Sequence, residues 1–428
     1  MSFPPPFGGN DPFGGGNNPM EHLLGDLLKL MSTKDPVQWD LARQLAHSVS
    51  TDGQEETNVD PLERIRLEEL ARVADLHVSD VTGLSTSTTG GLLSVAALSR
   101  SEWAARALDA WRPLLELLAS SLSRPPQGDG AALANLAELG GTGFAELMGS
   151  LSQVMGPTLL GLQVGSALGH LARRAMGNYV LPIPWPSSDV LALVPSNITS
   201  FAADWSLPPD DVRLWVCLSE LAHHAVLGTP HLRVRMEELL SAYVGGFRPN
   251  TTALDEMLAG LDPTDPSSIQ AAMGDPSALL GERATPEQRV AADQLEAIVL
   301  AIEGYVDHIM DQVGARLIQT YPSLTEALRR QRVDGDAGEA MVGQMLGLEL
   351  SQASYDRGAA FVRGVVERAG PASLAHLWEQ ASNLPTPAEI GAPGLWLARI
   401  SLPGEPEPAP GQTEPEPGSH TEGPQSES

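Results

Sequence analysis

Asp35-Pro36, Asp60-Pro61 and Thr285-Pro286 each place a capping residue directly before a proline, and an amphipathic run follows. Proline in the first turn of a helix loses nothing, because its missing N–H would have no intrahelical partner there. The preceding Asp or Thr accepts from the amides just inside. These signals predict helices running to about Val49, about Leu76 and about Leu317. The third is a full capping box, Thr285-Pro286-Glu287-Gln288. Leucine also recurs at helical spacing from Met20 to Met31, and Ser101 to Ser120 reads as one or two helices with Pro113 at the junction. Alternating strand patterns are scarce. Asn178 to Trp185, "NYVLPIPW", is the best extended candidate, and Pro182 and Pro184 restrict it to an edge. Ser188 to Ile198 is a second candidate for a short strand. The fold class expected is mainly α, with at most a small sheet.

Between these helices the sequence has material for a substantial core: 42% of residues are hydrophobic but only 5% aromatic, so the interior is built from Leu, Val and Ala. Residues 1–19 are rich in Pro, Gly and Asn, and residues 403–428 form an acidic run with no basic residue. Neither can bury enough surface to offset the entropy of ordering, so both are expected to be disordered tails. The division expected is tail 1–19, a helical region 20–90, a main domain 91–402 and the acidic tail 403–428. A net charge of −28 argues against nucleic-acid partners, since a phosphate backbone would be repelled. Cys217 is the only cysteine, which excludes an intramolecular disulfide and any Cys-based zinc finger. With no basic segment leading into an apolar run at the start, a cytoplasmic location is expected. Leu147 to Ala172 contains no Asp, Glu, Lys or Arg and is long enough to span a bilayer. Its Gln153, Gln163, His170 and the Gly156-Pro157 break favour a buried helix instead. Within it, Gly161, Gly165 and Gly169 line one face, a pattern for close helix packing rather than for nucleotide binding.

The chemistry concentrates in "SELAHHAVLGTPHLR", Ser219 to Arg233. Asp211 to about Leu227 is a helix ended by Gly228 and Pro230. Projected at about 100° per residue, Ser219 and His223 share the apolar face with Val212, Trp215, Ala222 and Val226. Glu220 and His224 fall toward a polar edge, where His224 is expected to face solvent or pair with Glu220. Zinc peptidases carry His-Glu-x-x-His on a helix because residues four apart bring two imidazoles to one metal. The Glu between them then acts as general base. Here the register reads Ser219-Glu220-Leu221-Ala222-His223. The base and the second histidine are in place, but a hydroxyl stands at the first ligand position, and it is a poor zinc ligand.

Downstream, Glu303 shares the apolar face of the 286–317 helix with Val299, Val306, Met310, Glu296 and Asp307. A carboxylate in such surroundings needs an arginine, a histidine or a metal. Two accounts of His223 follow from spacing: a metal ligand, or a core histidine satisfied by a carboxylate such as Glu303. Glu220 is likewise either a catalytic base or a partner of His224 or Arg213. His231 is a loop histidine placed to substitute for the missing ligand, at an offset of eight where metzincins use six. His308 projects away from Glu303. Glu220-x-x-His223 is also half of a di-iron set, without a second half. Cys217 reads as a buried structural thiol.

Five segments together resemble the zincin-like metallopeptidase family: Gly161 to Pro184, Leu218 to Arg233, Ala301 to Gly314, Gly347 to Val362 and Leu384 to Ile390. The similarity extends over about Leu92 to Leu402. The resemblance implies a mostly helical zincin-like domain, zinc as cofactor, and hydrolysis of a peptide or amide bond. It maps the general base onto Glu220, a metal ligand onto His223 and the third, acidic ligand onto Glu303. Ser219 falls at the first-ligand position, where the chain departs from the metal-binding pattern. Two functions follow: a zinc-dependent hydrolase with an impaired metal site, or an inactive pseudo-peptidase that binds a peptide or protein.

Overall fold

Two of the helix starts fall where the caps direct them, at Pro61 and Pro286, whereas the first helix opens at Trp39 behind Gln38, three residues past Pro36 and without a side-chain cap. The computed structural model describes residues 36–87, 89–123, 157–248, 284–333, 337–348 and 350–402. Both tails and the 20–31 leucine repeat therefore lie outside the described residues. Helix α1 is Trp39–Ser50 and α2 is Pro61–Thr82, where the Asp60 side chain accepts from Leu62 N at 2.9 Å. Gly83 ends α2 in the left-handed conformation, φ 67°, six residues beyond the expected end at Leu76. Strand β1 is Ser94–Ala97. Helices α3, Arg100–Ala110, and α4, Arg112–Leu122, divide at Trp111, so Pro113 lies in the first turn of α4 rather than at the break. Helix α5 covers 157–172.

Beyond α5 the chain makes a 3₁₀ turn, Asn178–Val180, and then runs as irregular backbone, so the predicted edge strand at 178–185 does not form. Pro182 and Pro184 remove two ladder donors from so short a segment. Strand β2, Val190–Leu193, pairs in parallel with β1, Ser94 opposite Val190 and Ala97 opposite Leu193. It is the core of the expected 188–198 strand, whose second half turns helical at Pro195. Helices α6, Pro195–Asp204, α7, Pro209–Leu227, and α8, Pro230–Gly245, follow. Helix α9, Pro286–Leu317, opens on the Thr285/Gln288 capping box, with both reciprocal bonds formed. Helices α10, Tyr321–Val333, α11, Ala337–Leu346, and α12, Gln352–Ala369, come next. Two short helices, α13, Pro387–Ile390, and α14, Pro393–Ser401, close the described chain.

At the centre lies α9, packed most extensively against α12, then α8 and α7, while α7 also packs on α2. Every residue from Ala297 to Val306 is buried. A helix that is apolar on all sides belongs in the middle of a fold rather than on its surface. Each of its fully buried Leu, Ile and Val side chains contributes about 1.5–3 kcal/mol. No helix among the described residues is long and apolar enough to cross a membrane.

Glycines set two backbone contacts. A Cβ on Gly165 would lie 2.5 Å from the Ala42 carbonyl oxygen, and one on Gly161 2.9 Å from that of Gln38. The glycine face of α5 is thus pressed onto α1, as its four-residue spacing predicts. Where α9 crosses α12, Gly304 and Gly358 meet: a Cβ on Gly304 would strike the Gly358 carbonyl, and one on Gly358 the Leu300 carbonyl.

Candidate functional site

Between α5 and β2 the segment 177–179 is held from three directions. Trp103 of α3 donates its indole N–H to the Gly177 carbonyl at 2.8 Å, within a cluster of Trp103, Trp111 and Trp185 whose centroids lie 5.7–6.5 Å apart. The Asn178 side-chain oxygen accepts from Ala192 N of β2 at 2.7 Å. Tyr179 N donates to the Glu220 carboxylate of α7, 3.0 Å from Oε2. Gly177 has no side chain because the space its Cβ would fill holds the Glu220 carboxyl.

The structure brings Ser219, Glu220, His223 and Glu303 into one buried cluster. His223 Nδ1 lies 2.8 Å from the Ser219 carbonyl oxygen. A carbonyl can only accept, so Nδ1 carries the proton and Nε2 is left to face Glu303 Oε1 at 3.1 Å. Both side chains are 7% exposed. Burial alone would lower the His223 pKa, but the Glu303 carboxylate, with Glu220 and the Ser219 carbonyl, outweighs it and raises the value. Burial likewise works to raise the Glu303 pKa, and His223, helped by Arg332, brings it below the usual range. The pair is therefore an imidazolium and a carboxylate. Glu220 behaves differently. Burial pushes its carboxyl up to about 7, against the opposing pull of His223 and the 178–179 amides, and Glu303 adds to the rise.

Several sequence expectations require correction. His224 does not sit on a polar edge: it is 5% exposed, and its Nδ1 lies 2.8 Å from the Tyr179 hydroxyl. The physical reason is that α7 has no polar edge along this stretch, since every residue from Val216 to Leu227 is buried. Burial lowers the His224 pKa to about 4, so it stays neutral beside an imidazolium neighbour. Glu220 pairs with neither His224 nor Arg213; Arg213 instead holds Glu63 at 2.5 Å and Asp210 at 2.9 Å. His231 is the second residue of α8, not a loop residue. Glu296 forms a partly exposed ion pair with Arg357 at 3.0 Å and does not join Glu303. Two expectations agree with the structure: His308 faces Gln312 rather than Glu303, and Cys217 is fully buried, with its thiol pushed up to about 12 by burial and Glu220.

Beside the cluster opens a cavity of about 480 Å³ lined from four helices. Trp215 of α7 lies one turn before Ser219. Asp307 and Met310 of α9 lie one and two turns past Glu303. Arg332 of α10 and Tyr355 of α12 complete the wall. Burial pushes the Asp307 carboxyl up to about 6, against the pull of Arg332. Sequence reasoning missed Tyr179, Arg332 and Tyr355, which no periodicity or motif marks. A larger concavity, about 900 Å³, lies between α1, the 51–59 loop and the start of α3. It is remote from this chemistry in sequence and lining. Its Glu56 carboxylate is already engaged by Arg100 N and by the Ser101 amide and hydroxyl.

With Glu220, His223 and a carboxylate from a downstream helix in one cluster, the comparisons with known proteins can be set against a defined geometry. A family described as zincin-like metallopeptidase matches residues 37–397. The chain belongs to that family. The match starts well before Leu92, so α1 and α2 lie inside the zincin-like region that the sequence resemblance placed only from Leu92 onward. A crystal structure from Chloroflexus aurantiacus, of a protein provisionally classed as a hydrolase and described as having a novel fold, is similar at 24% identity. The match covers 86% of this chain and 100% of that one, with a TM-score of 0.60. At that identity the likeness shows the shared fold. No curated protein matches the chain.

Proposed function

We propose that this zincin-like protein has an impaired hydrolytic centre and uses the cleft beside it to bind a peptide or protein. One observation carries the reading: His223 Nε2 is bonded directly to Glu303. In the zincin-like assignment these are the second and third metal ligands, and Ser219 stands where the first would be. Structural and catalytic zinc sites take at least three protein donors, from imidazole, thiolate or carboxylate. Among the described residues no group of three or more His, Cys, Asp or Glu is placed to hold a metal. The donors present do not fit a zinc centre, and the two that remain satisfy each other as an ion pair.

What supports binding is the cleft. It combines an indole, a tyrosine ring and a methionine with charged groups at its rim, the mixture that clefts for flexible ligands display. The competing reading, a working zinc hydrolase, is favoured by Glu220. It keeps the family's general-base position, and its carboxyl is pushed up to about 7, in the range suited to proton transfer.

Metal content decides between them. The untagged protein and its Ser219→His variant would be compared by inductively coupled plasma mass spectrometry after purification without chelators. The expected result is no stoichiometric zinc in the parent and uptake in the variant. Stoichiometric zinc in the parent would overturn the proposal.

A further inference from the structure

We propose that the cleft between α7, α9, α10 and α12 selects peptides by a carboxylate, which Arg332 receives. This rests on the peptide-binding reading above and names the ligand chemistry that the reading leaves open.

The first observation is an imbalance in hydrogen bonding among the charges of the cleft. Two of its three acids already have donors: Asp311 accepts from the Tyr321 hydroxyl at 2.9 Å, and Asp356 from the Gln352 amide at 3.0 Å, while the third, Asp307, lies 3.9 Å from Arg332. Its guanidiniums have far less. Arg332 touches an acid only at 3.9 Å, through Asp307, and among the described residues it donates no hydrogen bond. Arg363, exposed on α12, has no partner among the described residues. A guanidinium carries five donors in a planar fork whose natural complement is a carboxylate bound through two parallel bonds. The donors of the two guanidiniums thus outnumber the one carboxylate, Asp307, left to them, and the group that completes the fork is an anion.

The second observation is that Arg332 is positioned. Its guanidinium carbon lies 4.1 Å from the centroid of the Tyr355 ring, a cation–π contact that holds the group against the wall. The side chain is 30% exposed, so it is held within the wall yet reachable from solvent. Trp215 and Met310, which line the same cavity, offer apolar surface for the residues that carry the acid. A small inorganic anion would leave that surface uncovered, whereas a peptide covers it and brings the carboxylate. The carboxylate is supplied either by a free C-terminus or by an Asp or Glu side chain.

The test uses the full chain, immobilised, and random hexapeptide mixtures with free or amidated C-termini, the retained peptides being quantified by mass spectrometry. Selection of the main-chain carboxylate gives at least tenfold higher retention of the free-acid mixture. If side-chain carboxylates are the source, the two mixtures are retained equally and both become enriched in Asp and Glu. Arg332→Met is expected to abolish whichever preference is found, and Arg332→Lys, which keeps the charge but not the fork, to reduce it. Circular dichroism confirms folding, and should Arg332→Met not fold, the lysine variant and Arg363→Met carry the comparison. Equal retention of both mixtures without acidic enrichment, or a preference that survives the Arg332 substitutions, refutes carboxylate selection and leaves peptide binding standing. Stronger competition by inorganic phosphate than by acetate also refutes it. Retention of neither mixture sinks peptide binding itself.

Discussion

Replacing Glu303 by glutamine tests whether the His223 contact is an ion pair. The change keeps the shape and one hydrogen bond but removes the charge. A hydrogen bond to a charged group contributes about 1.5–3 kcal/mol and a neutral one about 0.5–1.5, so the expected loss is about 1–2 kcal/mol where both partners are ionised. The pH window follows from the directions of the two shifts. His223 has a raised folded pKa. Its contribution is complete below the unfolded value of 6.5 and is lost as pH rises through the folded one. Glu303 has a lowered folded pKa, so its contribution is complete above the unfolded value of 4.5 and is lost as pH falls through the folded one. The destabilisation by Glu303→Gln should therefore be largest between 4.5 and 6.5 and shrink on the alkaline side. Urea denaturation at pH 6 and pH 9, with chelator present, measures it directly. The companion variant Glu303→Leu leaves His223 Nε2 without a partner. At pH 5 it also forces the imidazole to stay neutral about 1.5 units below its unfolded pKa, which adds roughly 2 kcal/mol. A pH-independent difference between wild type and Glu303→Gln would refute the ion pair.

Two further perturbations bear on the frame around that pair. Gly165→Ala places a methyl 2.5 Å from the Ala42 carbonyl. It should lower stability by about 1–3 kcal/mol through forced separation of α5 from α1, read as a shifted urea midpoint at unchanged slope. A neutral effect would show that the two helices are not in backbone contact. Tyr179→Phe removes the partner of His224 Nδ1 while keeping the ring stacked on His223, 5.8 Å between centroids. The expected cost is about 1–3 kcal/mol at pH 7. Because His224 has a lowered folded pKa, its neutral burial destabilises the wild type as pH falls from 6.5 toward 4. The same acid limb should persist in the phenylalanine variant; its disappearance would place the limb elsewhere.

Much of the fold was legible because helix caps are local. Asp60-Pro61 and Thr285-Pro286 need only their immediate neighbours to act, and both helices start where those residues direct. Ser219 and His223 were read correctly as inward because a side chain on an apolar face points inward whatever packs against it. Their neighbours were not, because an amphipathic projection assumes that one side of the helix meets water. The warning was present: Glu220 is the only Asp, Glu, Lys or Arg between Leu214 and Leu227, too few for a solvated face. Tyr179 and Arg332 were beyond reach for a different reason. Each reaches the cluster through tertiary packing, Tyr179 from a turn pinned by Trp103 and β2, Arg332 from the last turn of a helix, and neither placement leaves a spacing signature.

The meeting of Gly304 and Gly358 has a consequence for how such a cleft can change over time. Two of the four helices around it touch main chain to main chain, one residue beyond Glu303 and one turn from Tyr355. Side chains elsewhere in a core act as spacers, so exchanging them moves the elements apart. Here no spacer exists between α9 and α12, and on that side the calibre of the cleft is set by peptide groups that every sequence shares. Substitution at Arg332, Tyr355 or Asp307 can therefore alter what the cleft prefers while its width on that side stays constant. A fold built on such a crossing can exchange one chemistry for another without rebuilding its architecture.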